Sequence, residues 1–184
     1  MKRICITGPE SSGKTTLAAE LAVRFRSFWL EETARSFLEQ LDRPYREKDL
    51  LAIARAQRTL EARAESQPEG FLKGPQLPDV YFADTGLEVI KIWSEVRFGR
   101  AHPWITETLR RYPADFYLVC YPDLPWSFDP LREHPSPAER LALFELYTRE
   151  LNGLGIPWQR VDGAGEPRIL AAQRLVADFS GKNF

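Results

Sequence analysis

Gly8-Pro9-Glu10-Ser11-Ser12-Gly13-Lys14-Thr15 reads G-x-x-x-x-G-K-T, and the residues on either side turn that spacing into a fold. Ahead of it, Arg3-Ile4-Cys5-Ile6-Thr7 is a short apolar run suited to a buried parallel strand. Behind it, residues 16–25 set Leu17, Leu21 and Phe25 on one helical face. Strand, glycine loop and helix in that order predict a phosphate-binding loop at a helix N-terminus, where peptide dipoles favour negative charge. Gly8 and Gly13 lack a Cβ, so the backbone can close around a polyphosphate. The segment Gly8, Pro9, Glu10, Ser11, Ser12, Gly13, Lys14, Thr15 and Thr16 is therefore expected to hold the donor nucleotide, its successive N–H groups forming an anion nest. Lys14 would reach the β- and γ-phosphates, and the Thr15 hydroxyl would bind Mg²⁺.

Outward from that loop, strand-like and helix-like stretches alternate. Residues 27–31, 80–84, 116–121 and 156–161 read as further strands. Residues 34–41, 47–65, 87–97, 104–111, 137–152 and 167–179 read as helices. The alternation predicts an α/β fold with a parallel sheet covered by helices on both faces. Pro157 lacks an N–H donor, which puts the last strand at an edge. Residues 67–78, with three prolines and two glycines, read as a connector. The proline-rich stretch 122–137 leaves the C-terminal end of the fourth strand, the edge where open α/β sheets bind ligands. It predicts a lid-like loop near 122–140 on a single domain spanning 1–184.

Several side chains fall at that same edge. Asp84 ends an apolar strand, the position of an aspartate that helps hold Mg²⁺ and meets the substrate; a plainer role as helix cap is also open. Glu31 and Glu32 end the second strand, and a carboxylate there can orient or deprotonate a substrate hydroxyl. Arg35, one helical turn on, would touch substrate or pair with Glu32. Arg132 and Arg140 flank the proline-rich stretch and would supply cationic groups to transferring phosphate. Trp126 would stack on a ring or anchor its loop. Trp29 and Trp93 read as core, and His102 and His134 as surface or loop.

Composition narrows the class. The chain has 184 residues, 43% hydrophobic and 28% charged, with a net charge of −1, so neither nucleic acid nor an anionic membrane is an expected partner. No apolar run approaches spanning length, and the chain opens on a strand rather than a secretory signal. Its two cysteines, Cys5 and Cys120, lie in strands and read as small core residues. These features predict a cytoplasmic protein and leave a homo-oligomer open.

The residues now on the page resemble a family, the ribosylnicotinamide kinase domain of NadR-type proteins and, more closely, the small stand-alone NadR-like kinases. The resemblance rests on G-P-E-S-S-G-K-T-T-L at 8–17, E-T-A-R at 32–35, and D-L-L-A-I-A-R-A-Q at 49–57 with Glu61. It continues through F-A-D-T at 82–85 with Trp93 and Gly99, P-D-L-P-W at 122–126, D-P-L-R-E at 129–133, and Gly163 with Arg168. It implies a P-loop, nucleoside-kinase-like fold with a five-stranded parallel sheet ordered 2-3-1-4-5. It also implies phosphorylation of nicotinamide riboside at its 5′-hydroxyl with ATP and Mg²⁺, giving nicotinamide mononucleotide for NAD salvage. Lys14, Asp84, Glu32 and Arg132 would be catalytic. Glu32, Arg35, Asp84, Trp126 and Asp129 would bind substrate, Thr15 and Asp84 would hold the metal, and Arg140 would join Arg132 over the phosphates. Two departures stand out: Gly86 replaces a second aspartate, and Pro130, where the family often has glycine, stiffens the lid. The DNA-binding and adenylyltransferase activities of long NadR proteins are not expected. Two other readings stay open, a kinase for another nucleoside-like or vitamin alcohol and a regulatory ATPase without a small acceptor.

Overall fold

Strands and helices alternate from one end of the chain to the other. In order they are β1 (Lys2–Thr7), α1 (Lys14–Arg24), β2 (Trp29–Leu30), α2 (Thr33–Glu39) and α3 (Glu47–Ser66), then β3 (Val80–Asp84), α4 (Leu87–Phe98) and α5 (Pro103–Arg111). β4 (Phe116–Cys120), α6 (Pro137–Leu154), β5 (Trp158–Val161) and α7 (Gly165–Ser180) complete the chain. The computed structural model describes residues 1–72 and 74–181. All strand pairs are parallel, and the sheet order is β2-β3-β1-β4-β5. β5 is an edge strand, as Pro157 requires.

Period-two alternation in the central strands separates the two layers. Ile4 and Ile6 of β1, with Phe116 and Leu118 of β4, join Leu17 and Leu21 of α1 and Val176 of α7 on one face. Cys5, Tyr117 and Val119 point the other way, onto Ile92 of α4 and Phe144, Tyr147 and Leu151 of α6. Each fully buried leucine or isoleucine contributes about 1.5–3 kcal/mol, so both faces hold the sheet firmly. A third cluster packs α3, α4 and α5 through Ile53, Ala54, Ile90, Ile105 and Leu109. Both cysteines are buried and free.

Two expectations change. The second strand is shorter than 27–31 because only Trp29 and Leu30 pair, with Phe82 and Ala83; the Ser27 hydroxyl donates instead to the Val80 carbonyl. The connector 67–78 contains a short 3-10 helix at Pro68–Phe71, started by a proline whose missing N–H costs nothing there; its Lys73 lies outside the described residues. His102 lies in a loop as expected and caps α5, its Nδ1 accepting the Trp104 N–H at 3.1 Å. Among the described residues no helix is long and apolar enough to cross a membrane.

This topology places the site. The chain leaves β1 toward neighbours on opposite sides, β3 and β4. The crevice above their C-terminal ends is bounded by the β1–α1 loop, the end of β3 and the segment after β4, which is where open parallel sheets take their ligands.

Candidate active site

The β1–α1 loop is shaped by its two glycines. Gly8 has φ +129°, and a Cβ there would lie 2.6 Å from the Cys120 carbonyl oxygen. Gly13 caps α1 with φ +75°, and its Cβ would meet Leu124 at 2.9 Å. Both positions combine backbone that L residues avoid with no room for a side chain. Within the loop, the buried Ser12 hydroxyl and the Lys14 ammonium both donate to the Pro9 carbonyl, at 2.7 and 2.8 Å. From outside, buried Arg168 of α7 donates to the Ser12 carbonyl at 2.6 Å and to the Gly163 carbonyl at 2.9 Å.

A cavity of about 250 Å³ opens over this loop. One end is polar: Gly8, Glu10, Ser11, Gly13, Lys14, Thr15 and Thr16 face Arg132 of the lid. Glu32 and Arg35, at the start of α2, also line the cavity. The far end is apolar, formed by Leu38 of α2, Val89, Ile92, Trp93 and Val96 of α4, and Leu143 and Tyr147 of α6. A ligand carrying phosphate at one end and an apolar ring at the other matches that gradient.

Asp84 lies under the floor. It is 1% exposed, and its Oδ2 accepts the Thr15 hydroxyl at 2.5 Å. Its Oδ1 is buried with no hydrogen-bond partner, a costly state unless something else takes it up. Thr15 and Asp84, the two residues expected to hold a metal, are therefore together and offer the hard oxygen donors Mg²⁺ prefers. Among the described residues no three His, Cys, Asp or Glu side chains gather into a metal cage, so a metal here would take most of its ligands from water and phosphate.

Burial pushes the Asp84 carboxyl above the ordinary aspartate range, against the Thr15 hydroxyl and Lys14, which act to lower it. Burial also raises Glu32, again opposed by Lys14, while the like charge of Asp84 adds to the rise. Glu32 thus feels the charge of Asp84 beneath the floor. A carboxylate poised upward is a better proton acceptor near neutrality than one at its ordinary value.

The segment after β4, expected to act as a lid, is hydrogen-bonded to the β1–α1 loop. Glu10 Oε1 accepts the Trp126 indole N–H at 3.2 Å and the His134 N–H at 2.7 Å, while Oε2 accepts the Glu133 N–H at 2.9 Å. The Ser127 N–H donates to Ser11 Oγ at 3.1 Å, and that hydroxyl donates to the Pro125 carbonyl at 3.2 Å. Arg132 Nη1 donates to the Ser127 carbonyl at 2.6 Å and reaches Ser11 Oγ at 3.4 Å.

Several expected site residues stand differently in the structure. Arg140 is 4% exposed and donates to the Leu124 carbonyl at 3.1 Å, so it supports the lid from beneath and does not line the cavity. Asp129 is likewise outside the lining; it pairs with Arg35 at 2.8 Å and accepts the Leu131 N–H, closing the lid against α2. Trp126 anchors its loop through Glu10. Trp93 is a cavity wall and His134 lines the cleft. Tyr45, which no motif singles out, accepts the Trp93 indole N–H at 2.8 Å and donates to the Glu133 carboxylate at 3.0 Å. Burial and Glu133 push its hydroxyl up to about 12, against the Trp93 bond, so it stays a donor throughout the neutral range.

Residues 3–168 match the model of a family of AAA domains. The chain belongs to that family. Outside the family model, this AAA domain is 25% identical over 189 residues to the trifunctional NAD biosynthesis/regulator protein NadR of Salmonella typhimurium, covering 99% of this chain and 43% of that protein. It therefore spans less than half the length of the curated relatives it matches. A crystal structure of NadR in complex with NR superposes with a TM-score of 0.76 at 21% identity, over all of this chain and 52% of the other. A second, in complex with NAD and AMP-PNP, gives 0.76 at 22% identity, over all of this chain and 50% of the other. The P-loop fold with sheet order 2-3-1-4-5 and the resemblance to NadR therefore both hold. Gly86, the departure from that pattern, has a local reason: a Cβ there would lie 2.5 Å from Glu88 Oε2 and 3.2 Å from Cys5 Sγ.

Proposed function

We propose that this domain transfers the γ-phosphoryl group of ATP to the 5′-hydroxyl of nicotinamide riboside, forming nicotinamide mononucleotide. The observation that carries the reading is the gradient of one cleft, with Lys14 and Arg132 at one end, an apolar wall ending on Trp93 at the other, and Glu32 in its lining. The NadR complexes with NR and with AMP-PNP support it, because proteins in which this fold forms about half of the chain bind both kinds of molecule.

In the step proposed, the acceptor oxygen attacks the γ-phosphorus and the bond to the β–γ bridging oxygen breaks. The hydroxyl proton passes to Glu32 or Asp84, and ADP leaves. Lys14 leaves the Pro9 carbonyl for the β- and γ-phosphates, and Arg132 turns from Ser127 to the same charge. Thr15 and Asp84 would hold Mg²⁺, which when bound neutralises phosphate charge. The lid keeps water from competing with the acceptor.

The test is ADP formation from ATP and Mg²⁺ with and without nicotinamide riboside, with product identified by mass. Stimulated turnover with nicotinamide mononucleotide supports the reading. Equal turnover in both tubes overturns it in favour of a bare ATPase. Stimulation only by another nucleoside or vitamin alcohol overturns the acceptor and keeps the kinase.

A further inference from the structure

Gln57 of α3 is 2% exposed and lies outside the cleft lining, yet its amide joins the two turns that follow the site carboxylates. Its Oε1 accepts the Thr33 hydroxyl at 2.7 Å, and Thr33 opens α2 directly after Glu32. Its Nε2 donates to the Thr85 carbonyl at 3.5 Å, directly after Asp84, and to Glu61 Oε1 at 3.2 Å. Both amide hydrogens are thus used. Glu61 is held in turn by Arg3 of β1 at 2.5 Å, and Arg3 donates to the Tyr112 carbonyl at 2.6 Å. The bridge is therefore fixed to the central strand of the sheet.

The turns need such a tie. Thr85 has φ +70°, a conformation that costs a non-glycine residue about 1–2 kcal/mol and persists only when its surroundings enforce it. On the other side, α2 has no side-chain hydrogen bond at its N-cap, Glu32. Ala34 packs this end of α2 onto Ile53 and Ala54 of α3, and the Thr33 hydroxyl adds a directional tie beside Glu32.

We propose that Gln57, through Thr33 and Thr85, is a positioning residue that sets the spacing of Glu32 and Asp84 at the acceptor hydroxyl. The inference rests on the phosphoryl-transfer reading for its catalytic consequence, but the spacing it sets is a property of the protein alone. Errors of an ångström in such spacing cost up to about a hundredfold in rate.

The decisive variants are Thr33→Val, which keeps shape and removes the donor, Thr33→Ser, which keeps the donor, and Gln57→Leu. In Thr33→Val and Gln57→Leu, kcat should fall about tenfold while KM for ATP and for acceptor stay within about twofold; Thr33→Ser should remain within about twofold of wild type. A merely structural role would lower Tm and leave kcat of the folded protein unchanged, which overturns the proposal. Amide hydrogen exchange needs no acceptor. The N–H groups around Thr33 and Thr85 should exchange faster in Thr33→Val and Gln57→Leu than in wild type and Thr33→Ser. Unchanged exchange overturns the bridge even if kcat falls. If wild type phosphorylates no nicotinamide riboside, the functional reading fails, and the exchange rates still decide the role of Gln57.

Discussion

The two ends of the cleft are made of different materials. The phosphate end is backbone: one contiguous loop, bent by Gly8 and Gly13 where a Cβ would strike Cys120 and Leu124, and propped by Arg168 from α7. The acceptor end is side chains from α2, α4 and α6, closed by a lid held through Glu10, Asp129 and Glu133. A backbone nest recognises the charge pattern shared by nucleoside triphosphates and tolerates little change. A wall of side chains can be rebuilt one residue at a time, so under the proposed function acceptor identity resides there. Changes at the first end should remove turnover with any acceptor, and changes at the second should move acceptor affinity and spare ATP.

The largest break in that contrast should come from Lys14→Ala. It removes the one ammonium on the loop, and kcat should fall on the order of 10²-fold or more with every acceptor tried; near wild-type turnover would remove the phosphate-end assignment. Asp84→Asn should cost a similar factor and carry a second signature in stability. The folded pKa of Asp84 is raised above its ordinary value of 3.8. Its stabilising contribution is therefore complete below about pH 4 and is lost as pH rises through the folded value. Asn at this position removes that loss, so the variant should melt higher than wild type at pH 7 and converge with it in acid. Tm measured against pH checks the sign.

Trp93→Ala should be next in size and act only at the other end. Losing a half-buried aromatic wall should raise acceptor KM by roughly 10–100-fold, the equivalent of about 1.4–2.8 kcal/mol. KM for ATP should stay within about twofold. Equal losses for ATP and acceptor would show that the two ends are not separable. Smaller again is the pH dependence of wild type. Because burial raises both Glu32 and Asp84, kcat should climb with pH through a midpoint above the ordinary carboxylate range and then level. A midpoint at or below pH 4 would remove both carboxylates as the proton acceptor.

The same contrast governs what could be read in advance. The strand–loop–helix around Gly8–Thr15 and the alternation of strands and helices were legible because contiguous glycine spacing and strand and helix periodicity are local patterns; the strand order came only with the family resemblance, and the Thr15–Asp84 hydrogen bond appears only in the structure. The acceptor wall was not legible. Trp93 reads as core, and it does pack against the α3–α4–α5 cluster, but only the structure shows that it also opens on the cavity. Arg140 and Asp129 were placed in the right loop and given the wrong partners. Their charges satisfy the Leu124 carbonyl and Arg35, contacts between segments whose approach no periodicity encodes. Gln57 was visible as part of a motif, but its two turns are 24 and 28 residues away in sequence.

Tyr45→Phe should have the smallest effect and the most direct bearing on whether the two ends communicate. The Tyr45 hydroxyl joins Trp93 of the acceptor wall to Glu133 of the lid, and the adjoining Glu133 and His134 N–H groups reach Glu10 of the phosphate loop. A filled acceptor site that fixes Trp93 should thus steady the lid over ATP. Phenylalanine keeps the ring packed edge-on against Trp93, now at 4.8 Å between centroids, and removes two hydrogen bonds, each worth on the order of 1 kcal/mol. Acceptor KM should rise only a few-fold. The informative quantity is the coupling: acceptor should tighten ATP binding in wild type, and ATP should tighten acceptor by the same factor, because linkage is reciprocal. In Tyr45→Phe that factor should shrink toward one. If it persists unchanged, the lid senses the acceptor by some route other than this hydroxyl, and the ends of the cleft are coupled through the sheet rather than over the top of it.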